Sequence, residues 1–127
     1  FDWWIRNGDR SLTAKGGNPN LLWDAGNSEL VVIDHNLAFD QDFDAGAFLE
    51  THIFQAEFPA LRADLVLMAQ YAARMKATLE LWDHAWRSVP DEWLFHDDEQ
   101  TVSTDFDPTA SAALLARCHT EDLWRLP

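Results

Sequence analysis

The chain has 127 residues, and its 9 Lys and Arg against 22 Asp and Glu give a formal net charge of −13. A chain of this length buries enough surface for one compact domain and leaves little room for two. The charge is −7 over residues 1–64 and −6 over 65–127, so no basic stripe is present to follow a phosphate backbone. We therefore expect neither direct nucleic-acid binding nor attraction to anionic membranes.

The composition predicts a folded protein of a reducing compartment. Hydrophobic residues make up 47% of the chain, with 7 Trp and 8 Phe, far more than a disordered acidic tail carries. The longest apolar run, residues 65–69, is too short for the roughly 20 residues that cross a bilayer. Cys118 is the single cysteine and no signal segment opens the sequence, so we expect a cytoplasmic location.

Residues 1–39 form the first part of the predicted domain. Residues 1–5 are expected to end a buried helix, and polar loops are expected at 6–10 and 15–20. Two apolar runs, residues 21–23 and 30–33, flank a stretch in which Gly-Asn supplies the positive φ of a hairpin turn. This pattern predicts a two-stranded β-hairpin.

Helical signals take over in residues 40–127. Asp42 or Asp44 is expected to cap a helix that Pro59 ends. Apolar residues then recur at steps of four and three, which predicts one helix of about seven to eight turns, closed by Pro90. The stripe consists of Leu61, Leu65, Met68, Ala72, Met75, Leu79, Trp82, Trp86 and Val89. It favours the core helix of a bundle over a coiled-coil seam.

The end of the chain carries a second cap signal. Asp107-Pro108 places an N-cap before a proline at the first helical position. Thr120 is expected to start a last turn that ends at Pro127. The fold class is thus α+β, mainly α, with a hairpin followed by a helical bundle whose core includes most of the tryptophans, namely Trp3, Trp4, Trp23, Trp82 and Trp86.

Three side chains stand out as candidates for chemistry. Asp9 lies in a polar loop, Asn20 leads directly into the first predicted strand, and Asp34 follows the second. A carboxylate can accept the proton of a hydroxyl nucleophile, while an amide oxygen and a second carboxylate suit Mg²⁺ held against phosphates. Simpler interpretations remain open: Asp9 pairs with Arg6 or Arg10, and Asp34 caps the following turn.

The same residues carry a family resemblance. The runs Asn7-Gly8-Asp9-Arg10, Asn18-Pro19-Asn20-Leu21-Leu22-Trp23 and Val32-Ile33-Asp34-His35-Asn36 together resemble the catalytic-loop region of the HipA-like kinases. The resemblance is tightest over residues 1–39. It implies a protein-kinase-like C-terminal lobe over 1–127, with catalytic and metal-binding loops in 1–39 and the helical part in 40–127.

The resemblance also implies roles for individual residues. Asp9 would be the catalytic aspartate and Lys15 the catalytic-loop lysine that neutralises the transferred phosphate. Asn20 and Asp34 would bind Mg²⁺ and, through it, ATP. Asn18 remains a rival to Asn20, because ten residues separate Asp9 from Asn20 where many kinases have four.

The resemblance further implies a phosphoryl acceptor and partners. The acceptor would be a protein serine or threonine, the role toxin-like, and the partner an antitoxin-like protein. The chain starts mid-motif at Phe1, so we expect it to be part of a longer kinase whose N-terminal nucleotide-binding lobe is absent here, and to turn over little ATP alone. The alternative is a non-catalytic kinase remnant that binds a partner through its acidic helical surface.

Overall fold

The computed structural model describes residues 1–125. The fold is mixed α/β, about half helical, with two small antiparallel hairpins. Its helices and strands, in chain order, are α1 (Asp2–Ile5), β1 (Ser11–Thr13), β2 (Gly16–Asn18), β3 (Leu21–Asp24), β4 (Glu29–Val32), α2 (Ala45–Thr51), α3 (Phe58–Ala63), α4 (Leu65–Leu79), α5 (Trp82–Arg87) and α6 (Pro108–Leu115). Four 3₁₀ turns occupy Gln55–Glu57, Asp91–Leu94, Ala116–His119 and Glu121–Trp124.

The predicted hairpin is confirmed, but the positive φ of its turn lies at Ser28 (φ 56°) and not at Gly26 or Asn27, and a second hairpin was missed. β3 pairs with β4 from Leu21 opposite Val32 to Asp24 opposite Glu29. β1 and β2 form a tighter hairpin, in which β1 lies between the two predicted polar loops and β2 lies within the second of them. Gly17 makes that pairing possible, because a Cβ there would clash with the carbonyl oxygen of Ser11 and lie 2.8 Å from the Cα of Leu12.

The helix predicted to run from Asp42 or Asp44 to Pro59 is shorter than expected. Asp44 caps α2 by accepting a hydrogen bond from the Ala47 amide at 2.9 Å, as the sequence suggested. The helix ends before His52 rather than at Pro59, which instead occupies the first turn of α3. A proline is tolerated in that first turn because its missing N–H has no intrahelical partner there. Pro59 therefore lies at the start of α3, whereas the sequence predicted that it ends the preceding helix.

The prediction of a single long helix over residues 61–89 is wrong. Asp64 has an extended backbone and accepts a hydrogen bond from the Leu67 amide at 2.9 Å, so it caps a new helix, α4. The next break comes after α4, where the Leu81 amide bonds the Thr78 carbonyl at 3.0 Å, a tighter turn that separates α4 from α5. An aspartate side chain accepts hydrogen bonds from the first amides of the helix that follows it. Here that capping bond starts a new helix although the apolar period continues unbroken.

The cap at the end of the chain is confirmed. The Asp107 carboxylate accepts hydrogen bonds from the amides of Thr109 and Ala110, and Pro108 is the first residue of α6. Thr120 caps the last 3₁₀ turn. The predicted end of that turn at Pro127 lies outside the described residues.

The hydrophobic core joins the two ends of the chain. Trp4 and Ile5 of α1 pack with Leu115, Cys118 and Leu123. The partly buried side chains packed against this cluster include Trp3, Met75, Leu79, Trp82 and Trp124. Eight of the nine residues of the predicted stripe are partly buried, although the helix is broken, whereas Leu65 is 76% exposed.

The tryptophan prediction fails at one position. Trp23 lies on β3 with 63% of its surface exposed, so it is not part of the core. The hairpin projects from the fold with apolar side chains on both faces, and nothing in residues 1–125 covers them. In the same described range, no helix is long and apolar enough to cross a membrane.

Candidate functional site

The Asp9 carboxylate is the centre of a hydrogen-bonded cluster. Asn18 donates its side-chain amide to both oxygens of Asp9 at 3.1 and 3.0 Å, and Asn20 donates to Oδ2 at 2.6 Å. A carboxylate at neutral pH only accepts hydrogen bonds, so the amide nitrogens of both asparagines must face it. Their amide oxygens consequently point away from Asp9, as a cation ligand requires.

The simpler interpretation of Asp9 is not observed. Among the described residues the ion pairs are Arg10 with Asp2 and Arg125 with Asp122, and His52 adds a hydrogen bond to Asp2. Asp9 takes part in none of them, and its partners are neutral amides. The carboxylate is thus oriented by donors without being neutralised by a cation.

The small β1–β2 hairpin explains how residues nine and eleven positions apart meet. Asn18 pairs with Ser11 at the open end of this hairpin, beside Asp9. The chain leaves β2 through Pro19 and reaches Asn20, which precedes β3. The ten residues between Asp9 and Asn20 therefore fold back as a hairpin, and both asparagines return to the aspartate.

Asn20 and Asp34 border the open end of the second hairpin. The Ile33 amide donates to the Asn20 carbonyl at 3.0 Å, which extends the ladder one step beyond Leu21 and Val32. Asp34 follows directly, so the hairpin register brings the two candidate ligands to one end of the sheet. Asn20 is buried, whereas Asp34 is exposed.

Asp34 also performs the structural role considered for it. Its Oδ1 accepts a hydrogen bond from the Asn36 amide at 3.2 Å and so caps the turn that follows β4. One oxygen of the carboxylate makes this bond. The other makes no hydrogen bond to a residue of the described range, so capping and metal binding are compatible in this geometry.

Lys15 lies in the turn at the tip of the β1–β2 hairpin. Its side chain is exposed, and its backbone amide bonds the Thr13 hydroxyl at 3.2 Å. Three positions along an extended strand separate Lys15 from Asn18, about 10 Å between the Cα atoms at the rise of a β-strand. The lysine is therefore at the opposite end of this hairpin from the Asp9 cluster.

A buried ionic network lies beneath the cluster, and the sequence analysis missed it. Arg10 is 1% exposed, and its Nε donates to Asp2 at 2.8 Å. His52 lies with Nε2 3.0 Å from the same carboxylate, and its Nδ1 accepts from the Phe54 amide. That second bond places the ring hydrogen on Nε2, so His52 donates to Asp2.

This network controls the ionisation of Asp2. Burial disfavours the charged carboxylate, but the hydrogen bonds from His52, Arg10 and Asn7 and the positive charge of Arg10 outweigh it. The pKa of Asp2 is consequently held well below its ordinary range. Asp2 is therefore an anion at neutral pH.

Asn7 completes the network and leaves one atom without a partner. Its Nδ2 donates to Asp2 at 3.3 Å, and the side chain is fully buried. Its Oδ1 has no hydrogen-bond partner among the described residues. The Asp2 bond fixes the amide orientation, because the opposite orientation would set an oxygen against the carboxylate.

Arg10 links this network to the candidate ligands. Its Nη1 donates to the main-chain carbonyls of Asn20 and of Ile33, the second at 3.2 Å, and lies 3.3 Å from the Pro19 carbonyl. Its Nη2 lies 3.4 Å from Nε2 of His35. The only sequence signal was the position of Arg10 next to Asp9, because nothing in its residue type distinguishes a buried arginine from a solvated one.

An apolar surface adjoins the cluster. Side chains alternate along the hairpin, so Leu22, Val31 and Ile33 share the face that begins at Asn20. All three are substantially exposed. A flat apolar surface beside a set of oxygen ligands is suited to an aromatic base attached to a phosphorylated sugar.

The oxygen atoms of Asn18, Asn20 and Asp34 can be compared with the ligands that Mg²⁺ requires. No group of three or more His, Cys, Asp or Glu residues is placed to hold a metal within residues 1–125. Magnesium bound with a nucleotide needs only one or two protein carboxylates, since phosphates and water supply its other ligands. Asn20 and Asp34 fit that smaller requirement, with Asn18 as a third oxygen donor.

Comparison with known proteins identifies the family. A family model described as HipA-like kinase matches residues 1–127, which is the whole chain. No curated protein and no solved structure matches the chain. Because the family match covers every element described above, including both hairpins and the Asp9 cluster, the chain belongs to the HipA-like kinase family.

Proposed function

We propose that the chain is the C-terminal lobe of a HipA-like kinase and transfers a phosphoryl group from Mg-ATP to a hydroxyl, most simply that of a protein serine or threonine. The observation that carries the proposal is the Asp9 cluster, which brings a carboxylate and two amides together within the matched family region. A kinase-type function agrees with the family. The nucleotide, metal and acceptor are part of the proposal.

In this proposal Asp9 orients the acceptor hydroxyl and takes its proton. Two oxygens offer about four acceptor sites, and three contacts from Asn18 and Asn20 use part of them. The remaining capacity is available for a substrate hydroxyl. Neutral donors hold the carboxylate in place and leave its charge uncompensated by a cation.

Asn20 and Asp34 would hold the metal. When bound, Mg²⁺ supplies charge neutralisation for the phosphates. The protein supplies an amide oxygen from the residue before β3 and a carboxylate oxygen from the second residue after β4. The hydrogen bond from the Ile33 amide to the Asn20 carbonyl keeps the two residues at the same end of the hairpin.

The apolar hairpin face would receive the adenine. Leu22 lies two residues after Asn20, so a base resting on it would be within one nucleotide length of the metal ligands. This face is exposed, and in the proposal the adenine lies between it and an N-terminal kinase lobe. Trp23 is exposed on the opposite face of the hairpin, and contact with an N-terminal lobe would account for its exposure in the same way.

Lys15 is proposed as the lysine that neutralises the transferred phosphate. For this role its side chain has to extend from the β1–β2 turn toward the acceptor side. Substitution with alanine would decrease turnover with little change in ATP binding, since the charge matters most in the transition state. An antitoxin-like protein remains the proposed regulatory partner, as the resemblance implies.

A phosphoryl-transfer assay on the kinase with its preceding lobe tests the proposal. Asp9→Ala is expected to lower turnover by about 10²- to 10⁴-fold, the usual contribution of a general base. Asp98→Asn, at an exposed position in the acidic run of residues 97–99, is the matched control and should leave activity unchanged. Full activity in the Asp9 variant, at a thermal midpoint equal to that of the wild type, would refute the role of Asp9.

A second candidate function rests on a different observation. A groove of about 640 Å³ is lined by the carboxylates of Asp40, Asp42, Asp105 and Asp107 and by no lysine, arginine or histidine. Such a surface favours a basic protein segment, as expected of a non-catalytic kinase remnant.

An arginine-rich peptide followed by fluorescence anisotropy tests this alternative. The double variant Asp40→Asn with Asp105→Asn is expected to weaken binding at least tenfold, and the effect should shrink in high salt. Asp98→Asn again serves as control. Equal affinity in all three proteins would exclude the groove as the binding surface.

A further inference from the structure

The two proposed metal ligands share an uncommon backbone conformation. Asn20 has φ 48° and Asp34 has φ 53°, both in the left-handed region. Residues other than glycine are rare there, although asparagine and aspartate tolerate it better than most. Such conformations persist only where the surrounding structure holds them. A contact that reaches both residues is therefore needed to hold them in this backbone conformation.

Arg10 makes that contact with both. Its Nη1 donates to the carbonyl of Asn20, whose orientation reports the ψ angle of that residue, and to the carbonyl of Ile33 at 3.2 Å. The Ile33 carbonyl belongs to the same peptide group as the Asp34 amide. One nitrogen thus bonds the peptide group that follows the first ligand and the peptide group that precedes the second.

Arg10 is itself immobilised. Asp2 accepts from its Nε at 2.8 Å, and Asp2 in turn accepts from His52. The Arg10 carbonyl accepts a hydrogen bond from the Ile53 amide at 3.3 Å. The guanidinium therefore connects a rigid anchor, formed with α1 and the end of α2, to the open end of the hairpin.

We propose that Arg10 is a positioning residue that sets the spacing and orientation of Asn20 and Asp34. It contacts main-chain carbonyls, the Asp2 carboxylate and the His35 ring, and none of the proposed catalytic or ligand side chains, so it is not assigned to the reaction itself. The planar fork of arginine is required, because lysine keeps the charge but cannot bond Asp2 and two carbonyls from one rigid group. The ligand roles of Asn20 and Asp34 rest on the proposed function, whereas the clamp does not.

Amide hydrogen exchange tests the clamp without reference to catalysis. In Arg10→Lys the Ile33 amide, which bonds the Asn20 carbonyl, is expected to exchange at least tenfold faster than in the wild type. The amides of Leu22 and Val31, the next hydrogen-bonded pair of the ladder by strand alternation, should change less than twofold. A uniform increase at all three amides, or none, would overturn the proposal.

A measurement on the wild type covers the case in which Arg10→Lys fails to fold. If Nη1 is bonded to the two carbonyls, rotation about the guanidinium bonds is hindered and the two Nη groups of Arg10 give separate nitrogen signals at low temperature. A single averaged signal would show that the side chain rotates freely and would overturn the clamp.

Metal binding then connects the clamp to the site. With ATP present, Arg10→Lys is expected to weaken Mn²⁺ binding at least tenfold, the usual effect of removing a group that orients metal ligands. In an Asp34→Asn background the same change should cost less than threefold, because one of the two ligands is already lost. Equal losses in both backgrounds would contradict positioning, and absent Mn²⁺ binding in the wild type would refute the proposed function while the exchange experiment still decides the clamp.

Discussion

The two parts of the molecule differ in the polar side chains that they bury. In residues 1–39 the buried side chains include four polar ones, Asp2, Asn7, Arg10 and Asn20, while the apolar hairpin side chains are exposed. In residues 40–125 the buried polar side chains are only His52 and Ser111, and His52 serves the same network. Both parts expose large apolar side chains, so the difference between them lies in the buried polar groups.

The difference indicates what each part is built to do. Burying charge is costly unless the partners are complete, and in residues 1–39 the buried cation is bonded to a carboxylate and to main-chain carbonyls. This arrangement fixes the backbone of short strands that have too little apolar contact to fix themselves. The helical part supplies the core against which the network is assembled.

The largest expected effect comes from breaking the buried ion pair. Asp2→Ala leaves the Arg10 guanidinium buried without its carboxylate, which should cost about 3–5 kcal/mol of the free energy of unfolding. Denaturant unfolding measures this loss. Asp122→Ala, which breaks the exposed pair with Arg125, is the matched control and should cost less than about 1 kcal/mol. Similar losses in the two variants would contradict the contrast between the two parts.

Core truncation gives the next largest effect. Leu123 is 1% exposed, so Leu123→Ala should cost about 2–5 kcal/mol through lost contacts and a cavity. Trp23→Ala removes a larger side chain that is mostly exposed, and should change stability by less than about 0.5 kcal/mol. A large loss at Trp23, measured by thermal unfolding of this chain, would mean that the hairpin face is covered.

The pH dependence follows from the lowered pKa of Asp2. Its carboxylate has a lower pKa in the folded than in the unfolded protein, so its contribution to stability is complete above about pH 4 and is lost as the pH falls toward the folded value. Wild-type stability should therefore decline below about pH 4. In Asp2→Asn this part of the decline should be missing, and an unchanged pH profile would show that Asp2 is not linked to acid unfolding.

The smallest effect concerns the helix cap in the second part. Asp107→Ala removes the acceptor for two amides at the start of α6 and should cost about 1 kcal/mol. Asp105→Ala is a suitable control, because no hydrogen bond joins its side chain to the described residues. Equal thermal midpoints for the two variants would contradict the capping assignment.

The sequence predicted those features that depend on local chemistry. The two strands of the β3–β4 hairpin, the Asp44 and Asp107 caps and most of the inward face of residues 61–89 follow from the types and spacing of neighbouring residues, whereas the positive φ of the hairpin turn falls on Ser28 and not on Gly26 or Asn27. The break at Asp64 was missed because a periodic stripe does not reveal where one aspartate will compete for the amides of a new helix. The prediction that Trp23 is buried was wrong because the burial of a hairpin side chain depends on which element packs against it. The sequence of the hairpin does not determine that packing.

The candidate site was partly predictable for the same reason. Asp9, Asn20 and Asp34 were singled out by their positions at loop and strand ends, and Asn18 was kept as a rival. The structure brings Asn18 and Asn20 to Asp9 together, so the two asparagines are not alternatives in forming the cluster. The Asp2, Arg10 and His52 network was not predictable, because its members are separated by up to 50 positions and meet only in the folded chain.

Paramagnetic broadening by Mn²⁺ in the presence of ATP tests whether Asn20 and Asp34 bind the metal. Substoichiometric Mn²⁺ is expected to broaden the amide signals of residues 18–20 and 34–36 first, and Asp34→Asn is expected to abolish this effect. Broadening confined to the acidic groove at Asp40 and Asp105, or to the run at residues 97–99, would place the cation elsewhere and would contradict the proposed metal site.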